Sequence, residues 1–125
     1  MTLKDYFETT EGTGILSTAD SDGNVDSAIY AVPHMVDEET LVLVMADKLS
    51  HANLQRNPKA AYMFIEKSPG YEGRRLYLQK IREEHDPELV QSIRRRKRYD
   101  QAGEAVSGSS AVYFKVAKTR PLLGD

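Results

Sequence analysis

Lys48, Ser50 and His51 stand together at a point where the pattern turns from an apolar strand into a helix. A cation, a hydroxyl and an imidazole there would share the helix mouth with amide hydrogens that lack an intrahelical partner and with the positive end of the dipole. That chemistry suits a phosphate. The adjoining strands bring small and apolar side chains, Ala28, Ile29, Ala31, Val44 and Ala46, against which a flat ring could lie. Spacing alone also admits a plainer reading, in which Ser50 is an ordinary cap, Lys48 and His51 are solvated and the small residues merely pack.

The other reactive side chains carry less. His34 could donate a proton near neutral pH, but behind Pro33 at the end of a strand it reads first as an edge histidine. Glu83-Glu84-His85-Asp86 lacks the helical spacing of a metal site and reads as an acidic turn with Asp86 capping the next helix, so no metal is expected. The run Arg94-Arg95-Arg96-Lys97-Arg98 falls on the last turns of that helix, where cations favour the dipole. It has no interleaved aromatic residues of the kind that stack single-stranded bases. Tyr30, Tyr62, Tyr71 and Tyr77 are candidates to border a ring or to pack with the hydroxyl at the surface. For Tyr62 packing is the better reading.

Composition bounds these readings. A chain of 125 residues, 40% hydrophobic and 29% charged, makes one globular domain. A net charge of −2 argues against a dedicated nucleic-acid or acidic-membrane binder. With no cysteine, disulfides, thiolate metal sites and cysteine nucleophiles are excluded. No apolar signal core or membrane-length apolar run is present, so a cytoplasmic protein without a membrane partner is expected.

The elements that must position these residues can be read in order. Thr2 with Asp5 predicts a capped helix carrying Leu3, Tyr6 and Phe7 on one face and ended by Gly12 and Gly14. Gly14–Ala19 is a strand, Asp20–Gly23 a turn, and Val25–Val36 a long strand interrupted by Pro33, which demands an edge, a bulge or a gap. Leu41–Ala46 reads as a buried strand and Ser50–Asn57 as a short helix with Leu54 inward, stopped by Pro58. Ala60–Glu66 and Arg74–Glu83 are strands; in the latter Leu76, Leu78 and Lys80 share one face and Arg75, Tyr77, Gln79 and Ile81 the other. A helix opens at Asp86-Pro87-Glu88 with Leu89, Val90 and Ile93 apolar, 102–110 is a loop, and Ala111–Ala117 is the last strand. Six strands with two or three short helices, joined by tight turns, predict a mainly β, antiparallel barrel or sandwich.

The wording goes further. Gly14-Ile15-Leu16-Ser17-Thr18-Ala19, with Ser21-Asp22-Gly23, the apolar strand at 41–46, and Ser50-His51-Ala52-Asn53-Leu54 followed by Asn57-Pro58-Lys59-Ala60-Ala61 resemble the FMN-binding split barrels of the pyridoxamine 5′-phosphate oxidase-like family. The similarity covers roughly residues 3–82, and the final strand more loosely. It implies a six-stranded antiparallel split barrel that forms a homodimer with FMN at the interface. It also implies that Ser27, Ala28, Ile29, Tyr30 and Ala31 run alongside the isoalloxazine ring. Val44, Met45, Ala46, Lys48, Leu49, Ser50, His51, Asn53 and Arg75 complete the cofactor-binding set.

Two departures from the family stand out. Its Ser/Thr-Arg-Lys phosphate word is replaced by Lys48-Leu49-Ser50, so Leu49 occupies the central cation's place and the charge falls to Lys48, His51, helix amides and Arg75. The chain also ends at Thr119-Arg120-Pro121-Leu122-Leu123-Gly124-Asp125, without the family's longer substrate-gripping region, so the vitamin B6 reaction is not expected. What remains is an FMN-dependent oxidoreductase or electron-transfer flavoprotein with an unidentified substrate or electron partner. The alternatives are a barrel that binds flavin or haem without turnover and, less favoured by the charge, a nucleic-acid binder using 94–98.

Overall fold

In the computed structural model, which describes residues 1–95 and 108–124, α1 (Leu3–Thr9) leads into β1 (Gly12–Ala19), β2 (Val25–Tyr30), β3 (His34–Met35) and β4 (Thr40–Met45). Then come α2 (Leu49–Arg56), β5 (Lys59–Glu66), β6 (Gly73–Glu84), α3 (Pro87–Arg95) and β7 (Ser110–Pro121). The sheet order is β2-β1-β5-β6-β7-β4-β3, and every neighbouring pair is antiparallel. Laid flat, a sheet of that width would hold its edges about 29 Å apart, at about 4.8 Å per strand. Yet only Ala31, Val32 and Pro33 join β2 to β3, a link that spans at most about 14 Å. The sheet must therefore curl until its edges approach, although no ladder joins them. The result is a split barrel.

Strand alternation fills the interior. Leu16 of β1, Tyr62 and Phe64 of β5, Leu76 and Leu78 of β6, Val112 and Phe114 of β7, and Leu41, Leu43 and Met45 of β4 form one buried core. Helix α1, capped by the Thr2 hydroxyl on the Asp5 amide at 3.1 Å, adds Tyr6 and Phe7; the Phe7 and Phe64 rings meet edge to face at 5.3 Å. On the opposite side of β4 and β7, Val42, Ala111 and Tyr113 are covered by Val90 and Ile93 of α3. Asp86 caps that helix through the Glu88 amide at 3.0 Å, with Pro87 at its first position.

Several boundaries differ from the sequence reading, each for a local reason. The single strand expected over Val25–Val36 is two, because the buried Val32-Pro33 link carries the chain from one sheet edge to the other. This is why seven strand segments replace six. Strand β1 contains Gly14 as expected but begins earlier, at Gly12, and α1 already ends at Thr9, so neither glycine is its terminator. A Cβ at Gly14 would overlap the Tyr62 hydroxyl, which passes beneath it to donate to the Ala31 carbonyl at 3.0 Å. The Tyr62 hydroxyl is thus inside the barrel and ties down the β2–β3 link. Strand β7 continues past Ala117 to Pro121, held by pairing with β6 as far as Arg74. Residues 96–98 of the basic run and most of the loop expected at 102–110 lie outside the described residues.

Candidate functional site

Helix α2 closes one end of the barrel. Leu54 points into the core, and the buried Asn53 amide donates to the Thr18 hydroxyl of β1 at 3.0 Å. Its cap is Lys48, not Ser50, and Lys48 makes no side-chain capping hydrogen bond; no acidic residue stands in the first turn. The reason lies within the first turn. Ser50 is 5% exposed and its hydroxyl bonds that of Tyr30 on β2. Burial raises the Tyr30 pKa, the Ser50 bond offsets part of this, and the charge of Asp26 adds to the rise. Tyr30 is therefore a neutral hydroxyl that holds α2 against the edge strand.

His51 is also engaged. Its Nε2 lies 2.8 Å from the Glu83 carboxylate on β6 and its Nδ1 3.4 Å from Asp47. Lys80 approaches the same Glu83 oxygen at 3.6 Å, and the Gln55 amide donates to it at 3.4 Å. Burial alone would raise the Glu83 pKa; the hydrogen bond and charge of His51, the charge of Lys80 and the Gln55 amide outweigh it, holding the carboxyl below the ordinary value. Of the four residues expected at the mouth, Lys48 and Leu49 are exposed at the helix start, while Ser50 and His51 are spent on tertiary partners. The sequence gives one cue to this knot, the inward parity of Lys80; Glu83 joins it only through the register shift in β6 after Lys80.

The strand residues divide by face. Ala28 and Tyr30 pair with Leu16 and Gly14 on the inner side, whereas Ser27 and Ile29 pair with Ser17 and Ile15 on the outer side. Ile29 is 76% exposed and Val25 81%, and the exposed Ala31 follows. Beyond β1, strand β2 has no other partner within the sheet, so its far edge carries backbone groups outside the ladder. Val44 packs toward α3 and Met45 into the barrel core; Ala46, just past β4, is half-buried.

Arg75 does not reach the start of α2. It stands near the other end of β6 from Glu83, on the outer face, in the cross-strand row Ile29–Ile15–Met63–Arg75. Its guanidinium donates to the carbonyls of Pro121, at 2.8 Å, and Gly124. Tyr77 shares that outer face, while Tyr71 is exposed in the loop before β6. His34 lies on the short edge strand β3, paired with Val42.

A family model described as pyridoxamine 5′-phosphate oxidase matches residues 3–122. The chain belongs to that family. No curated protein matches its sequence. Among solved structures, an FMN-binding protein from Syntrophomonas wolfei subsp. wolfei superposes with a TM-score of 0.78 at 22% identity, covering 98% of this chain and 84% of that one. An F420 reductase gives 0.73 at 15%, covering 93% and 94%. HutZ, the haem storage protein from Vibrio cholerae, gives 0.68 at 17%, covering 95% and 91%. All three match the split barrel nearly end to end, at identities that speak to the fold alone. Among the described residues, no helix is long and apolar enough to cross a membrane.

Proposed function

We propose that the chain is a cytoplasmic FMN-binding flavoprotein, assembled as a homodimer with the cofactor at its interface and acting as a small oxidoreductase on an unidentified electron partner. The observation that carries this reading is the start of α2: a helix of the barrel whose first turn has neither a side-chain cap nor an acidic residue, with Lys48 at its cap position. First-turn amides that receive no bond from the cap side chain, beside a cation, suit a phosphate dianion. Family membership over residues 3–122 supports the same cofactor.

In this reading Lys48 and the amides of Leu49 and Ser50 hold the phosphate. His51 and Ser50 act one step back, anchoring α2 to Glu83 and Tyr30 so that the amides keep their direction. The far edge of β2 offers backbone groups to a ring, and Ser27, Ala31 and Ile29 give it small and apolar neighbours. Bound flavin supplies the electron or hydride transfer, and the protein positions and shields it.

The test is a pair of fluorescence titrations with FMN and riboflavin. FMN should bind at least about tenfold more tightly, since a charge-assisted phosphate contact contributes about 1.5–3 kcal/mol. Lys48→Gln should erase most of that difference. Equal affinity for the two flavins would remove the phosphate role of α2, and tight haem binding with no flavin binding would replace the cofactor altogether.

A further inference from the structure

Tyr6 is a buried phenol whose partner is a carboxylate. It is 5% exposed, and its hydroxyl donates to Glu66 Oε2 at 2.5 Å, at the short end of charge-assisted O–H···O bonds. Burial first, then the bond and charge of Glu66, hold the Tyr6 pKa well above the usual phenol value. The phenol therefore keeps its proton until it loses an electron. A buried ring that lost only the electron would carry an unpaired charge at high cost. Here a base already in line can take the proton. Among the described residues Glu66 stands in no salt bridge. The Arg74 guanidinium, 4.3 Å from the ring centre, opposes electron loss.

Other hydrogen-bonded tyrosines lack this arrangement. Tyr62 donates to the Ala31 carbonyl at 3.0 Å, an acceptor too weak to keep a proton, and Tyr30 bonds the Ser50 hydroxyl. Tyr113 bonds Glu84, but that carboxylate is paired with Arg82 at 3.6 Å, and Arg82 lies 3.8 Å from the Tyr113 ring centre. Tyr6 also ends a connected set of rings. Tyr62 meets Phe7 edge to face at 6.2 Å, and Phe7 meets Tyr6 at 5.1 Å and Phe64 at 5.3 Å. The set runs from the β2–β3 link at Ala31 to Glu66 at the end of β5, close enough for an electron to pass from ring to ring without a mobile carrier. We infer that Tyr6 and Glu66 form a one-electron redox site in which oxidising equivalents reaching the barrel core come to rest. The electron leaves the Tyr6 ring for a metal-centred or radical one-electron oxidant, and the proton moves to Glu66 Oε2. A neutral phenoxyl radical then stands beside a neutral carboxylic acid. The site is separate from the start of α2 and does not depend on flavin binding there.

The full chain, oxidised by photogenerated tris(bipyridine)ruthenium(III) and frozen for electron paramagnetic resonance, tests it. The parent chain should hold a long-lived tyrosyl radical that forms more slowly in heavy water. Tyr6→Phe should lose most of that signal, whereas Tyr71→Phe, at an exposed loop position, and Tyr113→Phe should keep it. Glu66→Gln retains a hydrogen-bonding partner for the hydroxyl but no base, and should lose the long-lived signal as well. Circular dichroism of each variant checks that the strands remain. A purely structural tie between Tyr6 and Glu66 would lower the thermal midpoint of these variants without moving the radical. No long-lived radical in the parent, a signal that survives Tyr6→Phe or Glu66→Gln, or one lost in Tyr71→Phe or Tyr113→Phe would overturn the inference.

Discussion

At the scale of single residues, the most constrained contact is between Gly14 and Tyr62. The Tyr62 hydroxyl reaches the Ala31 carbonyl only because position 14 has no Cβ. Gly14→Ala is therefore expected to destabilise the fold by about 1–3 kcal/mol, as overpacking does, read as a lower midpoint in urea unfolding. Tyr62→Phe keeps the ring but removes the hydrogen bond to the Ala31 carbonyl, at a cost of about 1 kcal/mol. If the hydroxyl is the clash, the double variant should recover part of the Gly14→Ala loss; strict additivity would contradict the contact. None of this could be read from the sequence, where Gly14 resembles a helix terminator. The glycine is explained by a tyrosine on a strand that follows it by dozens of positions.

At the scale of elements, α2 is held at its start by Glu83 of β6 through His51 and Gln55. The Glu83 pKa is lowered in the folded state, so the group binds fewer protons folded than unfolded at acidic pH. Its contribution is present above the ordinary carboxylate pKa and is lost as pH falls through the lowered one. Glu83→Gln should thus be less stable than the parent at neutral pH, and the gap between them should narrow on acidification below about pH 5. Thermal midpoints across that range check it; a gap that stays constant or widens would contradict it. The existence of α2 was legible from its apolar spacing and Pro58, as were the inward Leu54 and the capped α1 and α3. Its partners were not, because Ser50 and His51 look like mouth residues until β2 and β6 are placed beside them. The β-bulges in β6 and β7 likewise alter face assignments that simple alternation cannot follow.

At the scale of the whole molecule, the outer face is divided between an apolar half on β1 and β2 and a cationic half on β6 and β7. The antiparallel barrel was legible because turns, apolar alternation and the buried strand at 41–46 agree with one another. Its split was not, since only the pairing shows that Val32-Pro33 crosses between sheet edges. Exposed Val25 and Ile29 on an edge strand are the surface that a second copy would cover in the proposed dimer. Sedimentation should then show a dimer at micromolar concentration, and Ile29→Asp should shift it toward monomer without unfolding it; a monomeric parent chain would contradict the interface. Whether the barrel holds flavin is read from an absorption spectrum of the purified protein, repeated after incubation with FMN and extensive washing. Flavin bands should survive washing and weaken in Lys48→Gln. A protein left colourless by the same treatment, or one that keeps a haem band instead, would contradict the flavin reading.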